Sequence, residues 1–90
     1  MSEFYIKSAE PAGGDMLRVN ISSFKGRSDV ELIAEHGGEI IGSTKVNLSI
    51  GENIAELALG GPAPHKISLK LYYRGFATNY FELELPPGYA

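Results

Sequence analysis

Apolar and polar residues alternate in several short segments of this chain. In segment 66–73, the apolar residues Ile67, Leu69, Leu71 and Tyr73 occupy every second position. Successive side chains of a β-strand point to opposite faces, so a period of two indicates strands that are buried on one face. The same alternation is present in segments 17–21, 29–35, 44–50, 66–73 and 80–85.

Turn-forming residues separate the alternating segments. Glycine-containing breaks occur at 12–15, 25–27, 36–38, 51–53, 60–62 and 74–75. The segment ENIAELAL, residues 52–59, could also form a short helix, but Gly51 precedes it and Gly60-Gly61 follow it, so we expect a strand. Seven or eight short strands in a chain of this length predict an all-β fold, a two-sheet antiparallel β-sandwich.

The inward-facing residues change from odd-numbered to even-numbered near Gly42, and this change constrains the arrangement of the strands. A two-residue turn at Gly37-Gly38 would place Ala34 opposite Ile41, because opposed residues share a face. The next inward-facing residues, Val46, Leu48 and Ile50, are even-numbered, so the inward face changes between 41 and 46. Glycine readily accommodates a bulge or a change of sheet. We interpret Gly42 as the crossing between sheets. One sheet is then expected to contain 16–23, 43–50 and 53–59, and the other 28–36, 39–41, 65–73 and 79–85, with 3–9 along an edge.

The register of the last hairpin is predicted from the same rule, that opposed residues share a face. A two-residue turn would point the carboxylates of the final strand into the core, where unpaired charges are strongly unfavourable. A five-residue loop, 74–78, keeps them outside. This register opposes Tyr72 with Tyr80 and Lys70 with Glu82 on the outer face of the sheet.

The outward-facing apolar residues are the candidates for binding. Tyr72 and Tyr80 are expected on neighbouring strands, Tyr5 can join them from the first strand, and Ile33 and Lys70 lie on the same predicted face. Tyrosine offers a large, rigid contact area and a hydroxyl group. The alternative is that the aromatic pair only stabilises the sheet, as cross-strand pairs commonly do.

Composition narrows the classes of function. Ninety residues form one small domain, and the net charge of −3 without a basic stripe argues against nucleic-acid binding. The absence of cysteine excludes disulfides and thiolate metal sites. No apolar run is long enough to span a bilayer, so we expect no membrane insertion. The first residues lack the apolar stretch of a signal peptide, but Met1-Ser2 also fits the start of an excised segment. We therefore expect 1–90 to be a single domain of a larger protein.

Few residues suggest catalysis or metal binding. His36 and His65 are expected at opposite ends of a sheet or in separate loops, and no spacing of metal ligands accompanies them. Carboxylates of the strands are expected to form solvated ion pairs. We therefore expect no enzyme activity and no cofactor. Asn20 and Asn47 begin formal N-glycosylation motifs on outward strand positions, and the sequence leaves open whether they are used.

The segment LSIGENIAELALGGPAPHKISLKLYY, residues 48–73, resembles the second half of immunoglobulin-like or fibronectin type III-like modules. In those families a glycine turn leads to a strand, a Pro/Gly corner, a long central strand and a final hairpin partner. The resemblance covers roughly residues 16–85, without the core cysteines and tryptophan of true immunoglobulin domains. It implies a modular and usually non-catalytic domain, often found in strings on extracellular or cell-surface proteins.

These observations together predict a non-catalytic accessory module of a larger secreted or surface protein. Such a module would act as a spacer and would contact a protein partner or a neighbouring domain through its outward tyrosines. Two alternatives use the same sequence features. The tyrosines could stack on sugar rings in a carbohydrate-binding module of a glycan-processing enzyme. The chain could also be a structural subunit of a surface filament or layer, assembled by pairing of edge strands.

Overall fold

The computed structural model describes residues 3–85, and within them all regular structure is β-strand. The eight strands are β1 (Phe4–Pro11), β2 (Met16–Ser23), β3 (Arg27–His36), β4 (Glu39–Leu48), β5 (Gly51–Ala58), β6 (Lys66–Tyr73), β7 (Phe76–Ala77) and β8 (Phe81–Glu84). The predicted all-β class is confirmed, and segment 52–59 is a strand rather than a helix.

The strands form two antiparallel sheets, as predicted. One sheet has three strands in the order β1-β2-β5. The other has five strands, in which β3 lies between β4 and β6, and both β7 and β8 pair with β6. Alternate residues of each sheet face the space between the two sheets and form one hydrophobic core. The fully buried side chains include Leu17, Val19, Ile21, Val30, Leu32, Leu57, Ile67, Leu69 and Leu71.

Strand β4 differs from its predicted course. Ala34 pairs with Gly42 and Glu35 pairs with Ile40, which leaves Ile41 as an extra residue. The predicted change of parity is therefore present, in the form of a β-bulge. The predicted crossing between sheets is wrong, because β4 continues past the bulge to Leu48 and remains paired with β3.

Ile50 was expected in the core, and the structure contradicts this expectation. Strand β4 ends at Leu48 and β5 begins at Gly51, whose φ of 107° suits glycine. The Asn53 side chain holds the turn by accepting from the Ser49 amide at 2.9 Å and donating to the Ser49 carbonyl at 3.0 Å. The alternation stops at this turn, and Ile50 is 76% exposed.

The predicted register of the last hairpin is also wrong. Strands β6 and β7 close on the two-residue turn Arg74-Gly75, and Tyr72 pairs with Ala77 rather than with Tyr80. One extra residue then lies between Thr78 and Phe81, because Thr78 bonds to Leu71 whereas Phe81 pairs with Leu69. This irregularity restores the parity, so the acidic side chains of β8 remain outside. Glu82 lies opposite Ser68 and not opposite Lys70.

Candidate contact surface

Tyr80 is held in a polar network on the outer face of the five-stranded sheet. Its hydroxyl donates to the Glu35 carboxylate at 3.1 Å and accepts from the Lys70 ammonium at 3.3 Å. Lys70 and Glu35 form an ion pair at 3.0 Å. Because Glu35 lies on β3, Lys70 on β6 and Tyr80 just before β8, the network ties together three neighbouring segments of the sheet.

The network stabilises the charged forms of its two ionisable partners. The side chains of Glu35 and Lys70 are 15% and 23% exposed, respectively. The hydrogen bond from Lys70 lowers the pKa of Glu35, and the bond from Tyr80 acts in the same direction. The hydrogen bond to Glu35 raises the pKa of Lys70. The hydrogen bonds to Glu35 and Lys70 anchor the hydroxyl of Tyr80, while half of the residue stays exposed.

A cleft of about 180 Å³ adjoins Tyr80 at one lateral side of the sandwich. Tyr5 and Ile6 of β1 line one wall, and residues 78–81 line the other. Both walls contain an irregularity. The pairing of β1 with β2 shifts register between Ile6 and Ser8, and the pairing of β6 with residues 76–84 shifts register before Phe81. Bulges bend edge strands and commonly occur beside functional sites. We name these lining residues the Tyr80 cleft.

The cleft brings together two of the five predicted contact residues. Tyr5 and Tyr80 both line it, although Tyr5 belongs to the three-stranded sheet and Tyr80 lies beside the five-stranded one. Lys70 anchors Tyr80 from outside the cleft. Tyr72 is exposed on the same outer face of the sheet, between Glu31 of β3 and Ala77 of β7, and does not line the cleft.

Ile33 occupies an outward position but offers little surface. It lies opposite Lys70 of β6 and Ser43 of β4, and it is outside the core cluster. Only 7% of the residue is exposed, because neighbours on both adjacent strands flank it. Ile33 therefore supports the Lys70 side of the network rather than contributing a free apolar contact. Alternation alone could not predict the burial of Ile33, because it predicts the face on which a residue lies and not how far neighbouring side chains cover it.

Sequence reasoning missed a second exposed apolar group, at the end of the three-stranded sheet. Phe24 directly follows β2, is 59% exposed, and has its ring centroid 6.4 Å from that of Tyr5. Ile50 is 76% exposed and precedes Gly51, which pairs with Ser23 at the end of β2. Phe24 belongs to no alternating segment, and Ile50 had been assigned to the core.

Other candidate residues make ordinary structural contacts. His36 Nδ1 lies 2.8 Å from the Lys66 carbonyl oxygen, which brings His36 to the end of the sandwich where His65 precedes β6. Within residues 3–85, no group of three or more His, Cys, Asp or Glu residues is arranged to hold a metal ion. Asp29 has a φ of 62° and donates its amide to Asn47 Oδ1 at 3.1 Å.

The two glycosylation motifs differ in their surroundings. Asn20 is half-buried on the central strand β2, and its Nδ2 donates to the Ser8 hydroxyl at 2.9 Å. Asn47 is exposed on the edge strand β4 and uses its Oδ1 as an acceptor. Because a glycan is attached through Nδ2, modification of Asn20 would remove a donor from an existing hydrogen bond.

No helix in the described part of the chain is long and apolar enough to cross a membrane. Comparison with known proteins gives no independent guide to the contact surface. No protein-family model, no curated protein and no solved structure matches this chain.

Proposed function

We propose that this chain is a non-catalytic interaction module that contacts a protein partner, or a neighbouring domain of the same polypeptide, through the Tyr80 cleft. The observation that carries the proposal is the fixed position of Tyr80. Glu35 and Lys70 hold its hydroxyl, and its half-exposed ring adjoins the cleft that Tyr5 lines on the opposite wall.

A restrained tyrosine is well suited to binding a protein. Ordering a flexible side chain at an interface costs about 0.5–1.5 kcal/mol, and Tyr80 is already ordered before a partner arrives. Tyrosine is enriched among the residues that dominate interface energies, because it combines apolar area with a polar group. The partner's side chain would enter the cleft, where Ile6 and Phe81 pack against the core.

Tyr72 would form the margin of this contact. It lies two residues along β6 from Lys70, on the same outer face, and 42% of it is exposed. Contacts at the margin of an interface contribute less energy than those at its centre. The loss of Tyr72 should therefore weaken binding less than the loss of Tyr80.

The polar groups beside the cleft support a non-catalytic function. Glu35 and Lys70 are paired with each other and with Tyr80, which leaves neither as an unpaired acid or base. The Thr78 hydroxyl accepts a hydrogen bond from the Leu71 amide, so its oxygen is also engaged. Catalysis by nucleophilic or acid–base chemistry needs such groups directed at a substrate.

The architecture agrees with a module of a larger, secreted or surface-attached protein. A sandwich of a three-stranded and a five-stranded antiparallel sheet is compatible with the fibronectin type III-like resemblance of residues 16–85. Modules of that kind are usually non-catalytic and extracellular, and act as spacers as well as contact domains. The proposed location rests on this resemblance alone.

Photo-cross-linking in the full-length protein tests the proposed surface. A photoreactive residue is placed at Tyr5 or Tyr80 in the source cells, and at Ile54 as a matched control. Ile54 is exposed on β5, in the same three-stranded sheet as Tyr5, and does not line the cleft. We expect one protein or domain to be cross-linked from positions 5 and 80 and not from position 54. Equal products from all three positions would contradict a specific surface.

Titration of the identified partner then measures the contribution of each tyrosine. Tyr80→Ser should weaken binding at least tenfold, because an anchoring tyrosine is often worth about 2 kcal/mol. Tyr72→Ser should weaken it less. Unchanged affinity in Tyr80→Ser, with the fold verified by circular dichroism, would remove Tyr80 from the contact.

Carbohydrate binding is the second candidate, favoured by the lining of the cleft. Two tyrosines and Asn79 line it, and they offer aromatic rings and an amide group to a sugar. Retention of the domain on insoluble polysaccharides, lost in Tyr5→Ser and in Tyr80→Ser, would favour this candidate. Absence of retention on a broad panel of polysaccharides would favour the protein partner.

Assembly by edge-strand pairing receives less support at this side of the molecule. The β1 edge contains a register shift and ends in Pro11, and the opposite edge is interrupted before Phe81. Irregular edges and proline hinder the addition of another strand. These features weigh against a filament assembled at this side of the molecule.

A further inference from the structure

Three cationic side chains lie close together at the end of the sandwich that contains the 74–75 turn. Arg27, at the start of β3, donates two hydrogen bonds of 2.8 and 2.9 Å to the Glu3 carboxylate, and Lys25 lies 3.7 Å from the same carboxylate. The guanidinium groups of Arg27 and Arg74 lie 5.8 and 5.2 Å, respectively, from the ring centroid of Tyr73. We name Lys25, Arg27 and Arg74 the Arg74 cluster.

The Arg74 cluster has more positive than negative charge. Glu3 is the only carboxylate within residues 3–85 that forms an ion pair with a member of the cluster. The hydrogen bond from Arg27 lowers the pKa of Glu3, so this carboxyl group is ionised at neutral pH. One negative charge therefore faces three positive charges, in a chain whose net charge is −3.

The guanidinium group of Arg74 is exposed and held in place. Tyr73 packs against the core, and its ring contacts the buried ring of Phe4 edge to face, with centroids 6.2 Å apart. Arg74 lies over the Tyr73 ring in cation–π contact and pairs with no carboxylate in the described part of the chain. A guanidinium group presents a fork of N–H donors that matches the two oxygens of a carboxylate. Arg74 is therefore ready to bind a carboxylate of another molecule.

The backbone of the turn does not explain an arginine at position 74. Arg74 and Gly75 have φ values of 49° and 81°, as in type I′ turns, in which Asn-Gly is the preferred pair. A left-handed conformation is costly for arginine and less so for asparagine. Residues that keep an unfavourable backbone conformation often do so at functional sites. The placement of its guanidinium group supplies a reason for the arginine that the turn itself does not.

We infer that the Arg74 cluster binds an acidic segment of a partner protein, with one carboxylate of the segment on Arg74 and another near Lys25. The charge of the cluster is complementary to such a segment. Two exposed aromatic residues adjoin the cations along the chain, because Phe24 precedes Lys25 and Phe76 follows the turn. They offer apolar contacts to the side chains of a peptide. Three cations are too few to form the basic stripe that is typical of nucleic-acid binding.

Titration of the native chain with a hexaglutamate peptide, followed by amide chemical shifts, tests the inference. At about 10 mM salt, shifts should change more at residues 25, 27 and 74 than at the lysines 45 and 66, which lie outside the cluster. The changes should weaken as salt is raised to about 1 M, because exposed charges are then screened. A hexaglutamine peptide, which has no side-chain charge, should produce none of them.

A matched pair of variants separates the cluster from the overall charge of the chain. Arg74→Asn should raise the dissociation constant for hexaglutamate roughly fivefold, as expected of one ion pair at an exposed site. Asparagine suits the turn, so the variant should stay folded, which circular dichroism verifies. Lys45→Gln removes the same charge from an exposed lysine on β4 and should leave the dissociation constant unchanged.

Several outcomes would overturn the inference. One is the absence of shift changes at residue 74 up to about 5 mM hexaglutamate, a range that detects weak complexes. Another is an equal effect of Arg74→Asn and Lys45→Gln. Inorganic phosphate that produced the same shifts at equal or lower concentration would show a site for small anions instead. Tyr80→Ser should leave the titration unchanged, so failure of this inference and failure of the Tyr80 contact are distinguishable.

Discussion

The two lateral sides of the sandwich are built in opposite ways. At one side, β4 approaches β5 so closely that a Cβ added to Gly42 would lie 2.6 Å from the Ala58 carbonyl oxygen. At the other side, β1 and residues 78–81 are separated by the Tyr80 cleft. The first side is closed by direct contact of backbones, and the second remains open to a ligand.

The difference arises from where each edge places its irregularities. The bulge of β4 is next to a glycine, so the strand can turn toward β5 without a side chain in the way. At the other side, the irregularities of β1 and of the segment before β8 lie next to Ile6 and Tyr80, and both of these residues line the cleft. Both sides therefore contain an irregular edge, but only the one in β4 is next to a glycine that allows a close backbone approach.

Gly42→Ala should have the largest effect, because it breaks the closed side. The new Cβ would overlap the Ala58 carbonyl oxygen, and the backbone would have to move. We expect a loss of about 2–3 kcal/mol in the free energy of unfolding, measured by urea denaturation. Gly61→Ala is the control, because a Cβ there meets no atom within 4 Å and Gly61 does not have a positive φ. Equal midpoints for the two variants would show that the close approach is not needed.

Asn53→Ala and Asn79→Ala compare one asparagine from each side. Asn53 bonds to both backbone groups of Ser49 and closes the turn between β4 and β5. Its replacement should cost about 1–2 kcal/mol, since several hydrogen bonds are lost together. Asn79 lines the open cleft. We expect a change within about 0.5 kcal/mol for Asn79→Ala. A larger loss of stability for Asn79→Ala than for Asn53→Ala would contradict the assignment of the β4–β5 side as closed and of the cleft side as open.

Tyr80→Phe should have a smaller effect on stability, limited to the open side. It removes the hydroxyl that joins Glu35 and Lys70 but keeps the ring. We expect a loss of about 0.5–1 kcal/mol by thermal or chemical denaturation. Tyr72→Phe controls for the loss of a tyrosine hydroxyl on the same sheet face. If both variants behaved alike, the hydroxyl of Tyr80 would have no special role in fixing its ring.

The smallest predicted effect concerns pH. The pKa of Glu35 is lowered in the folded state, mainly by the hydrogen bond from Lys70, so its contribution to stability is present above the unfolded pKa of about 4.3. That contribution is lost as pH falls through the lower folded pKa. Glu35→Gln should therefore be less stable than the native chain at pH 7, and the difference should shrink as the solution is acidified.

Denaturation midpoints measured from about pH 7 down to about pH 2.5 test this expectation. Glu39→Gln is the control for removing one negative charge, because Glu39 is exposed at the end of the β3–β4 hairpin. The difference between Glu39→Gln and the native chain should vary less with pH. Parallel pH profiles for the native chain and Glu35→Gln would contradict a contribution from the ionised Glu35 to the network.

Much of the candidate surface could be predicted only as separate residues. Alternation correctly placed Tyr72 and Tyr80 on the outside. It could not show that Tyr5, which belongs to the other sheet, lies across a cleft from Tyr80 and not beside Tyr72. The network with Glu35 depends on the exact register of residues 78–81, which an irregular loop sets and alternation cannot specify. The burial of Ile33 depends on side chains from two other strands.

The sequence by itself determined the all-β class, most of the strands and most of their inward faces, with Ile50 and the short strand β7 as exceptions. Each of these properties follows from the local period of two, which any segment expresses without reference to the rest of the chain. Tertiary structure alone decided that β4 remains in one sheet, that Gly42 touches Ala58, and that Tyr5 and Tyr80 share a cleft. These features depend on how the edges of two sheets approach each other, and that approach is set by twist, bulges and packing between segments distant in sequence.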